Sequence, residues 1–149
     1  MEILISDRQN DMALKSEPIE KLCTLVLKKE KVHEVVEVSI SLVSADEMAQ
    51  LNKHYRQIDK VTDVLSFSLN EEPPISHLLG DVVLCPVEAS KKAKELSIAF
   101  NEYFGLLIIH ALLHLLGYGH KHEMDAKVMS DKEKQLAEEL GVANRSFYW

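Results

Sequence analysis

An apolar stretch interrupted by two histidines constrains the fold of this chain more than any other part of its sequence. Residues 104–116 are apolar except for His110 and His114. The stretch is shorter than the roughly 20 residues that span a bilayer, so it predicts a helix buried in a protein core. Because the two histidines are four residues apart, both imidazoles project from one face of that helix, about one turn apart.

The residues after this stretch predict that a third histidine joins the pair. Gly117 stands three residues after His114, where a left-handed residue commonly ends a helix, and the chain can then turn back to bring His120 to the same point. Three neutral imidazoles leave a fourth tetrahedral position open, as in catalytic zinc sites. Simple burial is the alternative interpretation, but each histidine would then need its own polar partner in apolar surroundings. We therefore predict one metal ion per chain, held by His110, His114 and His120. Zn2+ is the first choice, and imidazole ligands also accept other divalent metals.

The spacing of the three histidines is also that of the metzincin proteases. Those enzymes need a glutamate directly after the first histidine as general base, and here that residue is Ala111. The ligand set therefore predicts a hydrolase and argues against a peptidase of that type.

The remaining patterns predict a single α+β domain over residues 1–149. Segments 2–6, 36–42, 61–69 and 80–84 have strand character, and a Ser44–Glu47 capping box starts one of the predicted helices. Helical spacing or helix-end signals predict helices over residues 17–31, 44–55, 86–96 and 123–140. They also predict a helix that begins at residue 98 or 101 and ends at residue 116. The order βαβαββααα contains no repeat and no linker. We expect a small mixed sheet packed with helices, with the metal site on a central buried helix and the turn that follows it.

A polar loop between a helix end and a strand supplies a second candidate residue. Arg56 falls at the end of the predicted helix, where its planar guanidinium could make bidentate contacts with a phosphate. From this segment alone, an ordinary surface arginine is the simpler interpretation.

Charge and cysteine usage limit the class of protein. A formal net charge of -7 argues against coating nucleic acid through global charge, although a local basic groove remains compatible with it. Cys23 and Cys85 are isolated and predict two reduced thiols, neither a disulfide framework nor a CxxC site. The first residues lack the basic and apolar regions of a secretory signal. We expect a cytoplasmic protein with no membrane partner.

At the two segments above, the sequence resembles the YbeY family, bacterial rRNA maturation factors similar to metal-dependent endoribonucleases. The family pattern H-G-x-L-H-L-x-G-Y-D-H stands here as HALLHLLGYGH, and L-N-x-x-Y-R-x-x-D-x-x-T-D-V-L-S-F stands as LNKHYRQIDKVTDVLSF. A third pattern, G-D-[IV], matches at Gly80 and Asp81. The resemblance covers most of the chain. Two residues depart from it: Ala111 replaces a glycine, and Gly119 replaces an aspartate that could orient a ligand imidazole or a water.

The resemblance implies metal ligands at His110, His114 and His120 and a functionally important arginine at Arg56. It implies an endoribonuclease that cleaves single-stranded RNA, acting in 16S rRNA 3′-end maturation and ribosome quality control. The implied partners are a 16S rRNA precursor and ribosomal particles or ribosome-associated proteins.

These parts suggest a mechanism and two alternatives to it. A metal would activate water while Arg56 offsets charge on the phosphate. Asp63, Asp81 and His122 are candidates for orienting a ligand or transferring a proton, although capping of turns or strand ends is the simpler role for the two aspartates. One alternative is a metal hydrolase of another substrate, such as a small ester that would not need Arg56. The other is a non-catalytic ribosome-assembly factor whose metal is structural.

Overall fold

Helices and strands follow one another along the chain in the predicted order βαβαββααα. The computed structural model describes residues 1–32, 36–57, 62–68, 78–118, 123–142 and 147–149. The strands are β1 (Glu2–Asp7), β2 (Glu37–Leu42), β3 (Val64–Ser68) and β4 (Leu78–Leu84). The helices are α1 (Ser16–Lys29), α2 (Ala45–Arg56), α3 (Pro86–Glu95), α4 (Phe100–Leu115) and α5 (Glu123–Glu139).

The strands form one mixed sheet in the order β1-β2-β4-β3. β1, β2 and β4 run parallel, whereas β3 pairs with β4 in the antiparallel sense at the edge of the sheet. The predicted α+β class is therefore confirmed. Three boundaries differ from the prediction by two residues or more, and β3, which begins at Val64 and not at residue 61, is one of them. β4 begins at Leu78 because that residue pairs with Glu37 of β2. α1 ends before Lys31, whose φ of 56° is incompatible with a continuing helix.

The two faces of the sheet carry different cores. On one face, Val38, Ile40 and Leu42 stand beside Gly80, Val82 and Leu84, and this face joins the main core with α1 and α4. On the other face, Leu65 and Val83 pack with Met48 of α2 in a smaller cluster. Leucine and isoleucine side chains buried in this way each contribute about 1.5–3 kcal/mol.

The predicted buried helix is α4, the central element of the main core. Its buried side chains include Phe104, Ile108, Leu112 and Leu113, and it packs against α1, α3, α5, β3 and β4. Among the residues that the structure describes, no single helix is long and apolar enough to cross a membrane. α3 and α4 meet that test only as a pair bent by 115°.

Neither cysteine forms a disulfide, in agreement with the two predicted thiols, and both side chains are buried. Cys23 lies in the main core and Cys85 in the smaller cluster. Burial raises the pKa of the Cys23 thiol to about 12 and also raises the pKa of Cys85. Because the thiolate is the reactive form, neither residue is suited to nucleophilic chemistry.

Candidate active site

The last two turns of α4 hold two imidazoles side by side. The Nε2 atoms of His110 and His114 are 3.1 Å apart, and their ring centroids are 4.6 Å apart. Two nitrogen ligands at about 2.0–2.1 Å from a tetrahedral zinc would be about 3.3–3.4 Å apart. The spacing of this pair is therefore close to one edge of a tetrahedral site.

A carboxylate on α5 fixes the orientation of the first imidazole. Nδ1 of His110 is in contact with the Glu133 carboxylate, and the two side chains are 30% and 23% exposed. An ionised carboxylate can only accept a hydrogen bond, so Nδ1 of His110 is the donor, and this tautomer directs the other ring nitrogen, Nε2, toward His114. Sequence reasoning missed Glu133, because it lies 23 residues beyond His110 and belongs to no motif.

The turn after α4 has the predicted glycine conformation. Gly117 adopts a φ of 101°, and its N–H donates to the His114 carbonyl at 3.1 Å. The next N–H, of Tyr118, donates to the Leu113 carbonyl at 3.0 Å, and these bonds end the helix.

Gly119, His120 and His122 lie outside the described residues. Within the described part of the chain, no three histidine, cysteine or acidic side chains are grouped so as to hold a metal.

Arg56 lines the same cleft as the histidine pair. It is the last residue of α2, and Gln57 after it takes a φ of 57°, with its N–H donating to the Asn52 carbonyl. The cleft has a volume of about 550 Å³, and its lining includes Arg56, Thr62, Ser66, Phe67 and both histidines. Among the described residues, no carboxylate pairs with the exposed guanidinium of Arg56. The cleft thus brings together a cation and two imidazoles of the kind that can ligate a metal.

The two predicted aspartates lie outside the lining of this cleft. The Tyr103 hydroxyl donates to Asp63 Oδ2 at 2.5 Å, which ties the start of β3 to α4. Burial, together with this carboxylate, raises the pKa of the Tyr103 phenol. Asp81 is exposed on β4, directly opposite Phe67 of β3. These contacts give Asp63 a structural role, and a part for either aspartate in the reaction stays a prediction.

Comparisons with known proteins show the same similarity along most of the chain. The family model described as Endoribonuclease YbeY matches residues 4–141. A Finegoldia magna protein named Endoribonuclease YbeY is 40% identical over 146 residues, which cover 95% of each chain. Proteins of the same name from Staphylococcus carnosus and Thermoanaerobacter pseudethanolicus are each 37% identical, covering 83% and 95% of this chain and 85% and 99% of their own. The solution structure of a Thermotoga maritima protein matches with a TM-score of 0.68 and 33% identity, covering 97% of this chain and 92% of that one.

Proposed function

This chain belongs to the YbeY endoribonuclease family, and we propose from that membership that it is an endoribonuclease of rRNA processing that cleaves single-stranded RNA. The observation that carries the proposal is the cleft that Arg56, His110 and His114 line together. A cation that binds a phosphate and side chains that can hold a metal are two components that metal-dependent hydrolysis of a phosphodiester uses.

We propose that His110, His114 and His120 hold one divalent metal, with Zn2+ as the first choice. The 3.1 Å separation of the two described Nε2 atoms supports this, as does the carboxylate of Glu133 on the far nitrogen of His110. A metal bound there would lower the pKa of a coordinated water toward about 7 and polarise a phosphoryl oxygen.

The side chains of the cleft have separate tasks in this proposal. The Arg56 guanidinium binds the scissile or a neighbouring phosphate and offsets the charge that develops in the transition state. The hydroxyls of Thr62 and Ser66 line the cleft and can donate to the same phosphate oxygens. Glu133 keeps the His110 ring in one orientation through its Nδ1 contact. A single strand suits such a cleft, because its backbone can bend into a space that a duplex cannot enter.

The cellular assignment follows from the family resemblance. We propose the 3′ end of 16S rRNA as the substrate, ribosomal particles or ribosome-associated proteins as partners, ribosome quality control as a second task, and the cytoplasm as the location. The two alternatives, a metal hydrolase of another substrate and a non-catalytic assembly factor, are separated by the experiment below.

The proposed function predicts single-strand-selective cleavage that depends on Arg56. Metal-loaded protein should cut an end-labelled single strand and leave the same strand intact in a duplex. Arg56→Ala should lower kcat/KM by about 10²–10³-fold, the usual loss when one transition-state donor is removed. Gel analysis of the products at one salt concentration measures both effects.

Lys94→Ala, which removes an exposed cation from α3, is the matched control and should behave as wild type. Metal-loaded protein that cleaves neither substrate would favour the assembly factor. A small-ester activity that survives Arg56→Ala would favour the other hydrolase.

A second prediction concerns Glu133 and the affinity for metal. Glu133→Gln keeps the shape of the side chain and removes its charge, so the amide oxygen accepts the His110 Nδ1 hydrogen bond more weakly and the His110 ligand becomes less basic. We expect metal binding to weaken by about 10–100-fold, as is typical when a carboxylate behind a ligand histidine is removed. Competition with a chromophoric chelator measures the affinity without reference to activity. Glu138→Gln, an exposed glutamate on the same helix, is the control, and equal affinity in both variants would contradict the role assigned to Glu133.

A further inference from the structure

An exposed tyrosine stands beside the cleft, at the end of α2. Tyr55 directly precedes Arg56 and is 58% exposed. Its ring centroid is 5.0 Å from that of Phe67, with the two ring planes tilted by 60°. The His54 ring meets it edge-on at 4.6 Å. Because Phe67 lines the cleft, these three rings form a continuous aromatic ledge that leads out of it.

A second concavity lies on the far side of this ledge. We call it the α2 hollow. It has a volume of about 600 Å³ and is lined by Glu47, Gln50, Leu51, His54 and Tyr55. This volume is within the range of small-molecule sites, about 300–1,000 Å³. Tyr55 therefore belongs to the wall of the hollow and, through Phe67, borders the cleft.

The polar groups of the hollow suit a base better than a phosphate. No lysine or arginine is among its lining residues, whereas Glu47 contributes a carboxylate held by Arg8 at 2.6 Å. Arg8 engages one oxygen of that carboxylate, and the other oxygen can accept a hydrogen bond from an amino group, whereas it offers a phosphate no donor. The Gln50 amide can both donate and accept. Adenine, cytosine and guanine each carry an exocyclic amine, whereas uracil, like thymine, carries none.

We propose that the α2 hollow is a nucleobase subsite, in which an unpaired base stacks on Tyr55 while Arg56 holds a phosphate of the same strand. The subsite selects bases that carry an exocyclic amine, through Glu47 and Gln50. This inference rests on the proposed function, since the base belongs to the RNA strand in the cleft. Stacking on aromatic side chains is a common means by which proteins hold single strands.

Binding of short single-stranded RNA to Tyr55 variants tests the inference. The dissociation constant is measured by fluorescence anisotropy in chelator, which keeps the strand intact, and KM is measured with the metal-loaded enzyme. We expect Tyr55→Leu to raise the dissociation constant by about 5- to 100-fold, the range for one lost stacking contact. The loss should fall on KM rather than on kcat. Tyr55→Phe keeps the ring and should recover most of the affinity.

The chain offers a matched control in Tyr148. Its side chain is 61% exposed. Its neighbour Trp149 donates its indole N–H to the Asn101 carbonyl, which places Tyr148 near the start of α4, whereas the histidine pair lies near the end of that helix. Tyr148→Leu should bind RNA as wild type does. If Tyr55→Leu does not fold, RNA binding by the wild-type protein still tests the proposed subsite. A strand with amine-bearing bases should bind more tightly than oligouridine, and removal of one base should weaken binding as Tyr55→Leu would.

The outcomes separate this inference from the function beneath it. Wild type that cleaves RNA while Tyr55→Leu binds with unchanged affinity overturns the subsite alone. An equal loss for a strand without bases also overturns it, because that loss cannot come from stacking. Wild type that neither binds nor cleaves RNA overturns both.

Discussion

Replacing His114 with alanine should abolish RNA cleavage and release the bound metal. His114 supplies one of two Nε2 atoms that stand 3.1 Å apart, so its loss leaves a single imidazole at that edge of the site. Metal-ion catalysis contributes several kcal/mol to transition-state stabilisation, which converts to a loss of roughly 10³-fold or more. End-labelled single-stranded RNA at one stated salt concentration reports the activity, and mass spectrometry of the native protein reports the metal.

Two controls identify the origin of the cleavage. Wild type treated with chelator should lose activity to the same extent and regain it when metal is restored. The variant must be purified identically and must retain its helical circular dichroism, since His114 is partly buried at the end of a core helix. Cleavage that persists in the variant and resists chelator would come from another centre or a contaminating nuclease, and either result would contradict the metal site.

Gly80→Ala should strongly destabilise the fold. A Cβ at this position of β4 would lie 2.4 Å from the Phe67 carbonyl oxygen and 2.6 Å from Cδ2 of Leu115. Separations this short force β3 and α4 away from β4. Overpacking of this kind costs about 3 kcal/mol, which lowers Tm by about 6–12 °C in a domain of this size. Thermal unfolding followed by circular dichroism measures the change.

Gly117→Ala separates steric overlap from backbone strain. A Cβ on Gly117 would meet no atom within 4 Å, so the only cost of an alanine there is the backbone strain of a φ of 101°. The expected loss is therefore smaller, about 1–2 kcal/mol. A Tm for Gly80→Ala within about 2 °C of wild type would show that the strands separate easily there. Because Phe67 and Leu115 also line the cleft, Gly80→Ala should lower the activity of the molecules that stay folded.

The parts of the site that could be predicted from the sequence are those set by local geometry. His110 and His114 share a helix face because of their spacing, and Gly117 ends that helix because of its backbone freedom. The Ser44 cap was predictable in the same way, and its hydroxyl accepts the Glu47 N–H at 3.2 Å. The carboxylate of Glu47, however, pairs with Arg8, a residue 39 positions away.

Contacts between distant elements could not be predicted from such patterns. Glu133 reaches His110 only because α5 packs along α4, and no sequence spacing encodes that packing. For Asp63 the sequence favoured capping over chemistry, but only the packing of β3 on α4 shows that its carboxylate contacts Tyr103. Tyr55 belongs to the quoted L-N-x-x-Y-R pattern, but the pattern assigned it no task, because its contacts depend on Phe67 in another strand and on the hollow beside it.

The dependence of His110 on a carboxylate from α5 has a consequence for protein synthesis. Arg56 is made early, the histidine pair follows on α4, and Glu133 belongs to the last helix. A nascent chain therefore has no complete site until residue 133 has left the ribosome and α5 has docked. A metal that reaches the histidines before α5 docks should therefore bind about 10–100-fold more weakly than it does in the finished fold.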